Sequence, residues 1–315
     1  MPKFLIVLLF GLLLFGGAVF LVKSGKNTLA SPIASIIGAR DEVKIKNSWF
    51  PKLNGAAFGD APQITAKSAL IVNYDTGEVL YSKNAQMRLP EASIVKVMTA
   101  LVALESTKIS NKFSVSDKAA NVGEDSMGLS VGEKLSLDDL LYGMMLPSGN
   151  DAAVAIAEGI SGSEDSFVLK MNNEAKALGM NDTKYINASG LDVDGEDQYT
   201  TAYDQATLAR FAWSNYSDFK RVVSTYHYSV DASDDHKAFD LYNETNLLTT
   251  YPGVMGIKPG FTWNAGWCLM TIAKNDGKTL IGVILASSDR RTEMKELLDY
   301  GFSKYGIKIS HPDLD

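Results

Sequence analysis

A single cysteine, Cys268, and three histidines, His227, His236 and His311, are all that this 315-residue chain has of the side chains that build disulfides and most metal centres. One cysteine excludes an internal disulfide, and no Cys/His group stands at metal-ligand spacing, so neither a metal site nor any other cofactor is expected. Runs of lysine or arginine are also missing, and the formal net charge is −7. A phosphate-binding face needs clustered positive charge, so a nucleic-acid partner is not expected. No internal repeat and no low-complexity tract appears, which leaves solenoids and fibrous architectures aside. With 46% hydrophobic and 21% charged residues the chain has the composition of a folded protein. Cys268 lies in the apolar run Trp267 to Ile272 and reads as a buried structural thiol.

Phe4 to Val22 are apolar or glycine throughout. At about 1.5 Å per helical residue such a segment is long enough to cross a bilayer. A cleavable signal peptide has a shorter apolar core followed by a small-x-small site, and Thr28-Leu29-Ala30 is only a fair one. The reading is a retained anchor or uncleaved signal over residues 1–23. Lys3 on one side and Lys23 and Lys26 on the other leave its orientation to be set by the chemistry downstream. Residues 24–62 carry scattered Ser, Gly, Pro, Asn and Lys without periodicity, as a spacer does.

The folded domain is expected over 63–310. Ser68 to Asn73 and Val79 to Ser82 read as strands joined by a turn at Asp75-Thr76-Gly77. Ile94 to Leu104 is apolar on nearly every face, as a helix at the centre of a domain is. Leu137 to Leu146 reads as a second helix with Ser136 and Asp139 at capping-box spacing, and Asp151 to Ile160 as a third. Phe167 to Leu178 closes at Gly179, and Thr201 to Trp213 is helical again after an acidic loop, Leu191 to Tyr199. From Val254 the texture changes to strands. Gly266 to Ala273 and Leu280 to Ala286 form a hairpin across Asn275-Asp276-Gly277, and Thr292 to Tyr305 closes the chain as a helix. Strands at both ends with helices between give an α+β fold: one antiparallel sheet built from both chain ends, flanked by helices, with a helical insertion.

Three short elements carry chemistry. Ser93-Ile94-Val95-Lys96 opens the central helix directly after Pro90-Glu91-Ala92. Three residues apart on a helix, Ser93 and Lys96 share a face, so the amine reaches the hydroxyl and takes its proton. Bringing a lysine from about 10.4 to about 7 or 8 means roughly 4 kcal/mol of desolvation and like-charge repulsion. A buried helix beside a second lysine supplies both. The second element, Ser148-Gly149-Asn150 after Pro147, falls between two helices; its hydroxyl suits relay of a proton to a leaving amine, and its amide suits a grip on substrate backbone. The third, Lys258-Pro259-Gly260-Phe261-Thr262, ends a predicted strand and adds a cation and an edge on which a peptide can lie. S-x-x-K alone is common by chance. In the order S-x-x-K, S-x-N, K-x-G the three form the signature of serine acyltransferases of the β-lactamase and penicillin-binding type.

On these motifs the chain resembles the low-molecular-mass penicillin-binding D-alanyl-D-alanine carboxypeptidases. The likeness runs over roughly residues 63 to 305, through Tyr74-Asp75-Thr76-Gly77-Glu78-Val79-Leu80, Pro90 to Glu105, Met127-Gly128-Leu129, Leu146 to Ala153, Asn187-Ala188-Ser189-Gly190-Leu191, Thr200 to Asp204 and Leu297 to Phe302. The resemblance implies a β-lactamase/penicillin-binding-protein-like fold and removal of the terminal D-Ala from peptidoglycan stem peptides. It also implies inhibition by covalently bound β-lactams, and a domain outside the cytoplasm held to the membrane by the N-terminal helix. It implies Ser93 as acylated nucleophile, Lys96 as its base, Ser148 and Asn150 beside them, and Lys258 as a contact for the substrate carboxylate. Gly260, Phe261 and Thr262 fall on the substrate side; the N–H groups of Ser93 and Phe261 would form the oxyanion hole. Arg290 or Arg291 matches the family's carboxylate-binding arginine. Two departures stand out: Pro259 occupies a position where the family usually has Thr, and a further C-terminal β-domain with its amphipathic anchor is not present in this sequence.

Rival readings are few. Gly128-Leu129-Ser130-Val131-Gly132 satisfies G-x-S-x-G, but loop-like residues precede it where a nucleophile elbow needs a strand. His227, in Tyr226-His227-Tyr228, reads as a strand-surface residue. A class A β-lactamase would carry E-x-x-L-N after Asn150, and no such run occurs. A D,D-endopeptidase of the same family uses the same motifs. A catalytically weakened peptidoglycan- or penicillin-binding protein stays open through Pro259.

Overall fold

The computed structural model describes residues 45–54 and 59–311. The expected membrane segment, Phe4 to Val22, and most of the expected spacer lie outside the described residues. Strands β1 (Ser68–Asn73) and β2 (Val79–Lys83) pair antiparallel around a turn in which Asn73 Oδ1 accepts the N–H groups of Asp75 at 2.9 Å and Thr76 at 3.0 Å. A 3₁₀ turn, Ala92–Val95, runs without a break into α1 (Lys96–Ser106). The insertion continues with β3 (Lys112–Ser114), α2 (Asp117–Ala120), β4 (Lys134–Ser136), α3 (Leu137–Met145), α4 (Asn150–Ser161), α5 (Glu164–Ala177), α6 (Ala202–Asn215) and α7 (Ser217–Val223). It closes with the hairpin β5 (His227–Val230) and β6 (Phe239–Tyr242) and the short α8 (Leu247–Thr250). Then come β7 (Val254–Thr262), β8 (Gly266–Asn275), β9 (Lys278–Ser287) and α9 (Arg290–Ser303).

The main sheet has the order β2-β1-β9-β8-β7, every pairing antiparallel, so β1 from the start of the domain lies against β9 from its end. Side-chain alternation sends Leu70, Val72, Ile281, Val283 and Leu285 into the core shared with α1, and Ala69, Ile71, Leu280 and Ile284 into a second core under α9. Two covered faces explain why these strands read as nearly continuous apolar runs. Helix α1 is wrapped on all sides, with Val97, Met98, Leu101 and Ala103 fully buried.

Local chemistry sets the ends of the elements. Ser136, Ser163, Thr201 and Asp289 each accept the N–H three residues on, at 3.0–3.2 Å, and so fix the starts of α3, α5, α6 and α9. Such a cap is typically worth about 1 kcal/mol. Ser163 and Asp289 explain why α5 and α9 begin earlier than their apolar periodicity suggests. The β8–β9 hairpin turns at Asp276 and Gly277, with φ of 42° and 74°, the positive pair a tight two-residue turn requires.

The body reaches back beyond residue 63. The Lys46 N–H donates to the Ala177 carbonyl at 2.7 Å, Lys52 bridges to Glu78, and Asn47 is buried. Gly77 permits this approach, since a Cβ there would stand 2.7 Å from the Phe50 carbonyl oxygen. Irregular backbone bonds of this kind leave no periodic trace, which is why 45–54 read as spacer. Ser130 sits on a loop with no strand before it and accepts from Lys237 Nζ at 2.6 Å, so Gly128 to Gly132 form no elbow. His227 lies exposed on β5 and pairs with Asp240.

Candidate active site

The site begins with the turn that carries Ser93. Ala92 has a φ of 51°, so the chain bends sharply just before the serine and then enters the 3₁₀ turn. Gly190 packs against this bend from one side: at φ of 90° it leaves room that a Cβ would close, at 2.1 Å from the Ala92 carbonyl oxygen. Gly260 on β7 packs from the other, where a Cβ would lie 2.9 Å from the Ser93 nitrogen. Ser93 is thereby pinned between a loop and a strand, 9% exposed and open to the cleft.

Lys96 is fully buried, and its Nζ has three neighbours: Ser93 Oγ at 2.9 Å, Asn150 Oδ1 at 2.7 Å and the Ser189 carbonyl at 2.7 Å. The last two can only accept. In the neutral amine they take both N–H bonds and leave the lone pair directed at the Ser93 hydroxyl. Asn150 Nδ2 donates to the Gly123 carbonyl at 3.1 Å, which fixes the amide with its oxygen toward the lysine. The Ser189 carbonyl is presented by a turn in which Asn187 Oδ1 accepts the N–H groups of Ser189 and Gly190 at 3.2 and 2.7 Å. Burial holds the Lys96 pKa well below the ordinary lysine value and the charge of Lys258 lowers it further, against the opposing fields of Asp125, Glu244 and Asp151.

Ser148, also buried, has a φ of 66° and a hydroxyl with no hydrogen-bond partner among the described residues. The segment 126–129 is held against the start of α4 by Asp151, whose carboxylate accepts from the N–H groups of Met127, Gly128 and Leu129 at 2.8–2.9 Å and from Ser126 Oγ at 2.6 Å. Lys258 on β7 is equally buried and its Nζ equally without a partner. Burial lowers its pKa to about 8, with Glu244 resisting the shift and Arg290 assisting it.

These elements enclose a cleft of ≈ 430 Å³, lined on one side by Ser93, Ser148 and Asp125 and on the other by Pro259, Gly260, Phe261 and Arg290. β7 is an edge strand of the sheet, where a proline is tolerated. Of the two arginines only Arg290 lines this cleft. It donates to the Gly260 carbonyl at 2.6 Å and stacks over Trp267 at 4.4 Å, whereas Arg291 faces an adjoining small pocket with Glu244 and Pro259. Two expected substrate contacts are engaged within the protein. Asn150 serves Lys96, and the Thr262 hydroxyl donates to Asp192 at 3.1 Å while accepting from the Ala265 N–H. Sequence reasoning did not single out the Ser189 carbonyl, Asp151, Asp125, Glu244 or Trp267. Ser189 and Asp151 stand inside stretches that already resembled the family; the others gave no separate signal. Among the described residues no group of His, Cys, Asp and Glu is arranged to hold a metal.

A family model described as D-alanyl-D-alanine carboxypeptidase, peptidase S11, matches residues 56–289. The chain belongs to this family. It is 40% identical over 248 residues to the D-alanyl-D-alanine carboxypeptidase DacF of Bacillus subtilis, covering 76% of this chain and 63% of that protein. It is 34% identical to the D-alanyl-D-alanine carboxypeptidase of Streptomyces sp. strain K15, covering 77% of this chain and 89% of the relative. The solved Streptomyces K15 DD-transpeptidase superposes with a TM-score of 0.72 at 32% identity, over 77% of this chain and 99% of that one. The Francisella tularensis carboxypeptidase DacD superposes at 0.71 with 31% identity, over 82% and 76%. The expected fold, an α+β penicillin-binding-protein-like domain, is the one observed. The chain thus spans less than two thirds of the DacF length.

Proposed function

We propose that this chain is a serine-type D-Ala-D-Ala carboxypeptidase that removes the terminal D-Ala of peptidoglycan stem pentapeptides through an acyl-enzyme on Ser93. The observation that carries the reading is the arrangement around Lys96, a buried amine whose lone pair is left to one hydroxyl. In this mechanism Ser93 Oγ gives its proton to Lys96 Nζ and bonds to the penultimate D-Ala carbonyl carbon. The N–H groups of Ser93 and Phe261 receive the developing oxyanion. Collapse breaks the peptide bond, and the departing D-Ala amine takes a proton through Ser148. Water then attacks the ester and restores Ser93. The unpartnered Lys258 Nζ, with Arg290, receives the substrate carboxylate.

Penicillin enters the same path as a covalent inhibitor, and the test uses it. Incubation followed by intact mass and peptide mapping is expected to place one adduct on Ser93, lost in Ser93→Ala. An adduct on Ser130 would overturn the assignment. Pro259 favours a second reading, a weakened member of the family or a D,D-endopeptidase, because it supplies neither hydroxyl nor N–H to a carboxylate. The N-terminal apolar segment supports a tether that places the domain outside the cytoplasmic membrane, where stem peptides are found. Protease added to intact spheroplasts then digests the domain; full protection contradicts this topology.

A further inference from the structure

Glu244 stands on the side of the cleft that would receive a terminal carboxylate, and it carries the wrong charge for that ligand. It lines the catalytic cleft together with Pro259 and Arg290, and the adjoining pocket with Arg290 and Arg291. Its own N–H donates to the Leu146 carbonyl at 3.1 Å, which anchors it beside the loop that carries Ser148. Among the described residues its carboxylate has no hydrogen-bond partner, and the charges of Lys258, Asp125, Arg290 and Lys96 act on it through space. Of the charges acting on Lys258, that of Glu244 is the largest.

Ser93 is alongside Gly260, and in the mechanism proposed above Lys258 and Arg290 receive the terminal carboxylate; on that reading the leaving group extends toward Pro259, Lys258 and Glu244, and the acyl part toward Phe261 and Thr262. On the leaving-group side the two cations face an acid, and Pro259 contributes neither a hydroxyl nor an N–H. Through-space repulsion of this kind weakens recognition of a like charge more than recognition of a neutral group.

We propose that Glu244 is a specificity-determining residue that lowers the preference for a free C-terminal carboxylate, so that peptides whose leaving group bears no terminal negative charge are also accepted. The inference rests on the carboxypeptidase reading above. Its experiment compares an N-acylated peptide ending in D-Ala-D-Ala with the same peptide as its C-terminal amide, for wild type, Glu244→Gln and Glu244→Ala. Assayed below the Lys258 value of about 8, both variants are expected to raise the ratio of kcat/KM on the free acid to that on the amide about two- to fivefold, the range of an exposed charge pair, because the field of Glu244 on Lys96 acts on both substrates alike. An equal change on both substrates, or none on either, overturns the proposal, and two chemically different variants guard against a folding defect in one. Absence of turnover of both peptides by wild type, together with no penicillin adduct on Ser93, overturns the activity itself and this proposal with it.

Discussion

A methyl group added at Gly260 tests the geometry of the turn that carries Ser93. The Cβ of Gly260→Ala would stand 2.9 Å from the Ser93 nitrogen, 3.2 Å from the Ala92 Cβ and 3.2 Å from the Ile94 nitrogen. Two of these are backbone atoms, which no side-chain rotation moves aside. The turn itself has little room to give, because Gly190 also packs closely on it, a Cβ there standing 2.1 Å from the Ala92 carbonyl oxygen and 3.0 Å from the Ser93 nitrogen. β7 must therefore withdraw by several tenths of an ångström, and active-site geometry tolerates only about 0.5 Å. Overpacking by one methyl costs about 1–3 kcal/mol, and the melting temperature should fall by less than about ten degrees in a domain of this size. The displacement separates the Phe261 N–H from the Ser93 N–H, and acylation by penicillin should slow by about ten- to a hundredfold. Time-resolved mass spectrometry of the adduct reads the rate and thermal unfolding the stability. Gly59→Ala, with nothing within 4 Å of its added Cβ, serves as control. A folded Gly260→Ala variant that acylates at the wild-type rate would refute the proposed oxyanion geometry.

Two further outcomes follow from the same site. The proposed mechanism requires neutral Lys96 and charged Lys258, so the acylation rate should rise with pH through the depressed Lys96 value and decline above about 8 as Lys258 loses its proton. Lys258→Gln removes the like charge and should move the acid limb to higher pH; a flat wild-type profile between about pH 5 and 9 speaks against a lysine base. Pro259→Thr restores a hydroxyl and an N–H on an edge strand, and a hydrogen bond to a charged group is worth about 1.5–3 kcal/mol, so kcat/KM on a D-Ala-D-Ala peptide should rise by about tenfold to over a hundredfold. If that variant is folded and no faster while Lys258→Ala keeps full activity, the carboxylate is bound elsewhere.

Sequence by itself determined the type and order of the reactive groups. Ser93 and Lys96 share a helical face because they are three residues apart, and the hairpin at Asp276-Gly277 and the caps at Ser136 and Thr201 are equally local, written in adjacent residues. The periodicity of the strands was legible for the same reason, and with it the sheet assembled from both chain ends. What neighbours in sequence do not encode, only the tertiary structure decided. Asn150 Oδ1 and the Ser189 carbonyl oxygen reach Lys96 from 54 and 93 residues away, and because these two oxygens can only accept, the lone pair of the neutral amine is left to Ser93. The same packing takes Thr262 to Asp192, separates Arg290 from Arg291, and sets Glu244 against the charge of Lys258. Side-chain charge state and partnership depend on burial and on through-space distance, and both come into existence only when the sheet closes over α1.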